Sequence, residues 1–245
     1  MIAFSSLGAL MVLVDRWVGR AYCSGVSVTV RPSNEGLAWC CVWLRGADAV
    51  AFAQGQLTQD VTAGHGARAA VLQPDGSLLA AGVLRSATDG MGLVVPADLG
   101  EAVVARLRRF RLRAAVDIEV EEEAESPWPT WAALVDDVWP GPLEAAAGLS
   151  PAAYGSEFVR RAVSFSKGCY TGQELVARLE ARGANVPFRL VSLRSDDPDA
   201  LDASLRSGPP GPTGLTTVVA EGSGVSALGI AHRSWSPAEE SGRRG

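Results

Sequence analysis

The sequence is short of the residues that build metal cages and disulfide frameworks. Of 245 residues only four are cysteine and two histidine. Cys23, Cys40, Cys41 and Cys169 contain no CxxC pair, and neither His65 nor His232 lies close to a cysteine in sequence. A zinc or cluster site of the usual ligand spacing, and any stably bound metal, is therefore not expected. Cysteines without a disulfide pattern in a chain this long fit a reducing cytoplasm. Positive charge is scarce as well. A formal net charge of −5 and a pI near 5.2 lack the basic field that phosphate contacts require, which argues against a general nucleic-acid binder. Long apolar runs are missing too: Met1 to Val14 is apolar, but it has no basic flank and stops at Asp15 and Arg16, short of the roughly 20 residues that cross a bilayer. It reads as neither a signal peptide nor a membrane span. No repeat at a solenoid period is present.

What remains is an ordinary globular balance, 47% hydrophobic and 20% charged, enough for one to three small domains. Residues 1–33 form an extension that cannot be placed, either an added strand and helix or sequence upstream of the true start. Leu37 to Leu44 reads as an apolar strand. Asp48 is positioned to cap a helix whose inner face is Val50, Ala53 and Leu57. The polar stretch Gly55-Gln56-Leu57-Thr58-Gln59-Asp60-Val61 then reads as a loop lining something. From Ala69 to Val95 alternating strands meet turn signals at Gln73-Pro74-Asp75-Gly76 and Thr88-Asp89-Gly90. Asp98 and Glu101 have capping-box spacing at the head of a helix striped by Leu99, Val103 and Leu107, and Ala115 to Val120 returns as a strand. This gives an α+β fold class with antiparallel sheets covered by helices.

Residues 34–68 and 127–185 make a discontinuous first domain, 69–126 a β-β-α-β domain, 186–233 a small C-terminal β module, and 234–245 a disordered tail. Between 121 and 151 an acidic run and five prolines, with Trp128, Trp131 and Trp139 among them, read as a linker or domain crossing.

The chemistry concentrates in Lys167-Gly168-Cys169-Tyr170-Thr171-Gly172-Gln173-Glu174. Thr171 and Glu174 have capping-box spacing, so a helix is expected from Gly172 to about Arg182, ended by Gly183. Cys169 precedes it by a few residues, where the helix dipole and Lys167 both favour a thiolate. Gly168 and Gly172 leave the backbone open to a ligand or partner. A free cysteine is otherwise most often an inert buried filler.

Residues 167–174 reproduce without change the motif of the YgfZ family, which the chain resembles over about residues 37–195; Leu175-Val176-Ala177-Arg178, Arg182-Gly183-Ala184-Asn185 and the Gly55–Val61 stretch are similar as well. The resemblance implies a fold like the T-protein of the glycine cleavage system, three domains around a folate-binding hole, with a small C-terminal β-barrel-like module. It implies tetrahydrofolate as ligand and a role in assembling or repairing iron–sulfur clusters, with iron–sulfur enzymes or cluster carrier proteins as partners and an indirect effect on tRNA modification. Cys169, with Lys167, would be the working thiol. Folate contacts would come from Trp39 and Trp131, since an indole suits a flat pterin, with Gln56, Asp60, Tyr170, Gln173, Glu174 and Arg178 around them. Two other readings stand beside this one. The first is a folate-dependent aminomethyltransferase, which does not need the cysteine motif. The second is RNA binding through Arg106, Arg108, Arg109, Arg111 and Arg113, whose bland counterpart is cations set against a helix end.

Overall fold

The computed structural model describes residues 29–237. Cys23, most of the unplaced extension and the end of the expected tail lie outside the described residues. The chain is mixed α+β, built on two sheets.

The larger sheet has the order β3 (Arg68–Leu72), β4 (Leu78–Ala87), β5 (Gly90–Pro96), β2 (Trp39–Arg45), β6 (Asp117–Glu121), with every neighbouring pair antiparallel. It is larger than the β-β-α-β unit read from residues 69–126, because β2 comes from the preceding segment and sits between β5 and β6. The reason is in β2's own sequence. Six consecutive residues from Trp39 to Leu44 are buried, which only a strand covered on both faces allows. Cys40, Val42 and Leu44 face one core beneath α1 (Ala49–Gln56) and α2 (Ala97–Phe110), with Phe52, Ala53, Val103 and Leu107. Trp39, Cys41 and Trp43 face the other, filled by Trp128, Trp131, Trp139, Tyr154 and Phe158.

The smaller sheet has the order β1 (Thr29–Arg31), β8 (Gly214–Glu221), β9 (Gly224–His232), β7 (Phe188–Ser195), with β1 parallel to β8. Its two edges, β1 and β7, do not pair, so among the described residues it is an open sheet rather than a barrel. Nor is the module all-β: α7 (Pro198–Arg206) covers one face, its Leu205 packing on Leu215, Val218 and Ala227. Asp197, which accepts from the Ala200 amide at 3.0 Å, and Pro198 at the first helical position were the signals for it. The opposite face sends Leu190, Val219 and Leu228 into the tryptophan core.

Residues 127–162 are not a free crossing. They form α3 (Trp131–Asp136), α4 (Pro142–Ala146), a 3₁₀ turn at Pro151–Tyr154 and α5 (Ser156–Ala162), and their aromatics are the packing between the sheets. Glu144, fully buried, fastens α4 to β8 through a 2.8 Å bond from the Thr217 hydroxyl.

Several local expectations are corrected. Asp48 stands at the N-cap of α1, but its carboxylate accepts from the Ala115 amide instead of capping, and Val50 is 53% exposed, the inner face being Ala49, Phe52, Ala53 and Gln56. Helix α2 starts one residue earlier than Asp98, with Pro96 at its N-cap and no side-chain cap.

Candidate functional site

The polar stretch Gly55–Val61 turns out to be a clasp. Thr58, fully buried, donates to the Ala162 carbonyl at 2.6 Å and accepts from the Ala70 amide at 2.8 Å, while Gln59 donates to the Arg161 carbonyl at 3.0 Å. Asp60 caps a 3₁₀ turn, Val61–Ala63, accepting from the Thr62 amide and hydroxyl and from Gln54. Those bonds, Thr62's first, hold its carboxyl below the usual range, with a smaller contribution from Lys167. Thr58 and Gln59 join β3 to α5 and are spent on backbone partners, while Asp60 binds its own turn and Gln54 of α1.

Lys167 closes the clasp. Its ammonium donates to the carbonyls of Gln54 and Leu57, both at 2.6 Å, and of Gln59 at 3.2 Å. An ammonium has three donors, and they end on the Gln54 carbonyl in the last turn of α1, the Leu57 carbonyl at its C-cap and the Gln59 carbonyl just beyond it. The cation sits 5.0 Å from the Tyr170 ring centre. Burial pulls its pKa down to about 8, opposed by Asp60, so it is still charged at neutral pH. Lys167 is therefore a fastener on the residues before Cys169, and the expected cation beside the thiol is committed elsewhere. It is also the only lysine among 22 basic residues. In a chain otherwise of arginines, a compact point charge can bond three convergent carbonyls where a planar guanidinium cannot.

The far side of the thiol is fixed by glycine. Helix α6 (Gln173–Ala181) begins after Gly172, which is left-handed at φ +85° and caps it without a side-chain bond. A Cβ there would lie 2.7 Å from the Gln73 carbonyl oxygen and 2.9 Å from the Leu72 Cβ. Gly76, at φ +88°, meets the same place from the opposite side, where a Cβ would lie 2.7 Å from the Leu175 Cβ. The two glycines let the β3–β4 turn and the start of α6 touch backbone to backbone. The Thr171–Glu174 capping box does not form. Thr171 instead donates from its amide to the Gly55 carbonyl at 3.0 Å and from its hydroxyl to Gln56 at 3.3 Å, and Gln173 accepts from the Tyr170 amide at 3.2 Å. Gly172 thus leaves no room for a partner, whereas a Cβ on Gly168 would meet nothing within 4 Å. The other end follows expectation: Gly183 is left-handed at φ +71°, and the amides of Gly183 and Ala184 return to the Glu180 and Leu179 carbonyls.

Between these two anchors Cys169 is exposed and unbridged. A cleft of about 500 Å³ opens on the same segment, lined by Phe165, Lys167, Tyr170, Gln173 and Glu174 on either side of Cys169 in sequence but not by Cys169 itself. Tyr170 is 7% exposed, and burial pushes its phenol up to about 12, so it stays protonated. Glu174 and Arg178 form an exposed ion pair at 2.6 Å on the same helix.

Trp39 and Trp131 lie elsewhere, in the tryptophan core. Trp39 is 3% exposed, donates from its indole to the Trp128 carbonyl at 3.1 Å and stacks on Trp128 at 5.5 Å. Trp131 is 2% exposed, with the Arg31 guanidinium 3.9 Å over its ring. Neither presents a free ring face to the motif cleft. The same core contains a cluster that the sequence did not single out: Asp137 accepts from Arg68 at 2.5 Å, Arg161 at 2.8 Å and the Trp128 indole at 2.7 Å. Burial raises the Asp137 pKa, but the bonds from Arg161, Trp128 and Arg68 outweigh it and hold the carboxyl below its ordinary range.

The arginine run is not one basic face. Arg106 is 5% exposed and donates to the Leu72 carbonyl and to Gln56, while Arg108 and Arg111 donate to the Ile118 and Val116 carbonyls. Among the described residues no group of three His, Cys, Asp or Glu side chains gathers as a metal site, and no helix is long and apolar enough to cross a membrane.

No protein-family model and no curated protein matches the chain. Among solved structures the chain is similar to the glycine cleavage system aminomethyltransferase T from Bartonella henselae. The identity is 14% and the TM-score 0.49, over 93% of this chain and 90% of that one.

Proposed function

We propose that the chain is an accessory factor for the assembly or repair of iron–sulfur clusters, presenting Cys169 to a client enzyme or cluster carrier in the cytoplasm, with tetrahydrofolate as its small ligand. The observation that carries the reading is the undivided motif Lys167–Glu174 together with the posture of its cysteine. The residues before the thiol are tied down by Lys167 and those after it by Gly172, while the thiol itself is left outside. A cysteine held this way can lend a sulfur ligand to iron, or attack a partner's disulfide and release one of its two sulfurs as the leaving thiolate.

Tetrahydrofolate does not fit the pair Trp39 and Trp131, whose ring faces are already covered. It fits the motif cleft better in size and polar groups. Tyr170 and Gln173 would orient it there and Arg178 would meet its carboxylates, with Glu174 next to them. When bound it supplies a reduced pterin and a carrier of one-carbon groups. Gln56 and Asp60 support the cleft from behind through Thr171 and Gln54.

The test is complementation. In cells lacking the endogenous factor, wild-type protein restores iron–sulfur enzyme activities and Cys169→Ser does not. Equal rescue by both would remove the thiol from the account, and aminomethyl transfer to tetrahydrofolate that survives Cys169→Ala would favour the transferase reading instead. For the ligand, calorimetric titration with tetrahydrofolate is expected to weaken in Arg178→Ala and to be unchanged in Trp131→Phe.

A further inference from the structure

On the α2 side of β2, a second cleft of about 540 Å³ opens between the start of α2 and the end of β6, with Trp39 at the head of β2 among its lining residues. Its floor is apolar, formed by Cys40, Gly100 and Val120, with the Cys40 sulfur so close to α2 that a Cβ on Gly100 would lie 2.6 Å from it. Its rim is acidic, made by Glu101, Glu122 and Glu123. No lysine or arginine lines it, and among the described residues none of these three carboxylates is in an ion pair. The carboxylates act on the floor: the Cys40 thiol is pushed up by burial first, and Glu101 and Glu122 add to it. The amino end of α2 also opens here, but Asp98 and Glu101 near its start offset that partial positive charge.

An apolar floor under three uncompensated carboxylates is complementary to one kind of molecule. We propose that this cleft is a binding site for an organic cation with a flat or apolar body, distinct from the motif cleft. The size lies in the range of small-ligand sites. The apolar body would displace water from Cys40, Gly100 and Val120, and the positive end would rest among the three exposed glutamates, whose attraction is screened by salt. A dianionic folate tail is repelled by the same rim, so the two clefts sort ligands by charge.

The probe is thioflavin T, a flat apolar cation, titrated into the full chain and followed by fluorescence. Saturable binding that weakens with salt is expected, about tenfold weaker in the triple variant E101Q/E122Q/E123Q, a loss on the scale of one close charge pair. Ala97→Phe fills the cleft without changing its charge and is expected to abolish binding; Ala38→Phe does the same if Ala97→Phe fails to fold. Tetrahydrofolate is expected not to displace the dye. Unchanged affinity in the triple variant or in both filling variants would overturn the proposal. So would displacement by tetrahydrofolate that grows stronger in the triple variant, since the cleft would then be an anion site.

Discussion

Cys40 and Cys41 on β2 and Cys169 in the motif segment are the same chemical group in opposite settings. The strand pair is sealed on both faces of a sheet, 2% and 0% exposed, and burial pushes the Cys41 thiol up to about 12. Cys169 is exposed in a stretch without regular structure. The difference is made by the neighbours. Around β2 the neighbours are packing partners, with only 2% of Cys40 left at the floor of the second cleft, so the thiols behave as small hydrophobes. Around Cys169 the neighbours are anchors that grip other parts of the chain and leave the thiol out. A working cysteine thus needs a fixed backbone and a free side chain together, and Lys167 and Gly172 supply the first half.

The comparison can be broken from the motif side first. Gly172→Val should destabilise the chain by roughly 2–5 kcal/mol, combining the left-handed backbone with an overlap against the Gln73 carbonyl, measured by thermal or urea unfolding. A neutral result would mean that the β3–β4 turn yields and that the anchor is not one. Lys167→Met should cost about 1–3 kcal/mol by leaving carbonyls at the end of α1 without a donor. Because the anchor is lost, it should also loosen the segment, seen as faster hydrogen exchange at Gly168–Thr171. Slow exchange with lowered stability would separate the fastening from the thiol.

The sealed side is tested by Asp137, which clamps Arg68 and Arg161 over the tryptophans behind β2. Asp137→Asn should cost about 1–3 kcal/mol, the range for hydrogen bonds to charged groups. The sign with pH follows from its lowered value. The folded state holds the carboxyl deprotonated more strongly than the unfolded chain, so its stabilisation is complete above about pH 4 and is lost as pH falls through the lower folded value. The acid limb of the stability profile should flatten in Asp137→Asn; an identical limb would mean other carboxylates carry it. Smallest of all, Glu174→Ala removes only an exposed ion pair with Arg178 and should leave the melting temperature almost unmoved.

Much of this was legible in the sequence where the signal was local. The β2 strand, both hairpin turns and the helix ended by Gly183 follow from short patterns that tertiary contacts left in place. The capping box at Thr171 and Glu174 did not survive, because Thr171 is drawn to Gly55 and Gln56, residues more than a hundred positions away, and the left-handed Gly172 takes the N-cap against the β3–β4 turn. Trp128, Trp131 and Trp139 were hidden by the prolines and acids around them, which look like a linker until two sheets close on them. Lys167 was read as a charge beside a thiol; its three acceptors lie over a hundred residues upstream, beyond any spacing rule. The motif pointed to the right stretch of chain, while the role of each member within it was set by distant partners.

The most direct measurement is alkylation of the native wild-type chain with iodoacetamide, followed cysteine by cysteine by mass spectrometry, with the unfolded chain as reference. The account predicts that Cys169 is modified at a rate comparable to the unfolded chain while Cys40 and Cys41 remain protected until urea unfolds β2. Modification of Cys40 or Cys41 as fast as Cys169 in the native chain would contradict it.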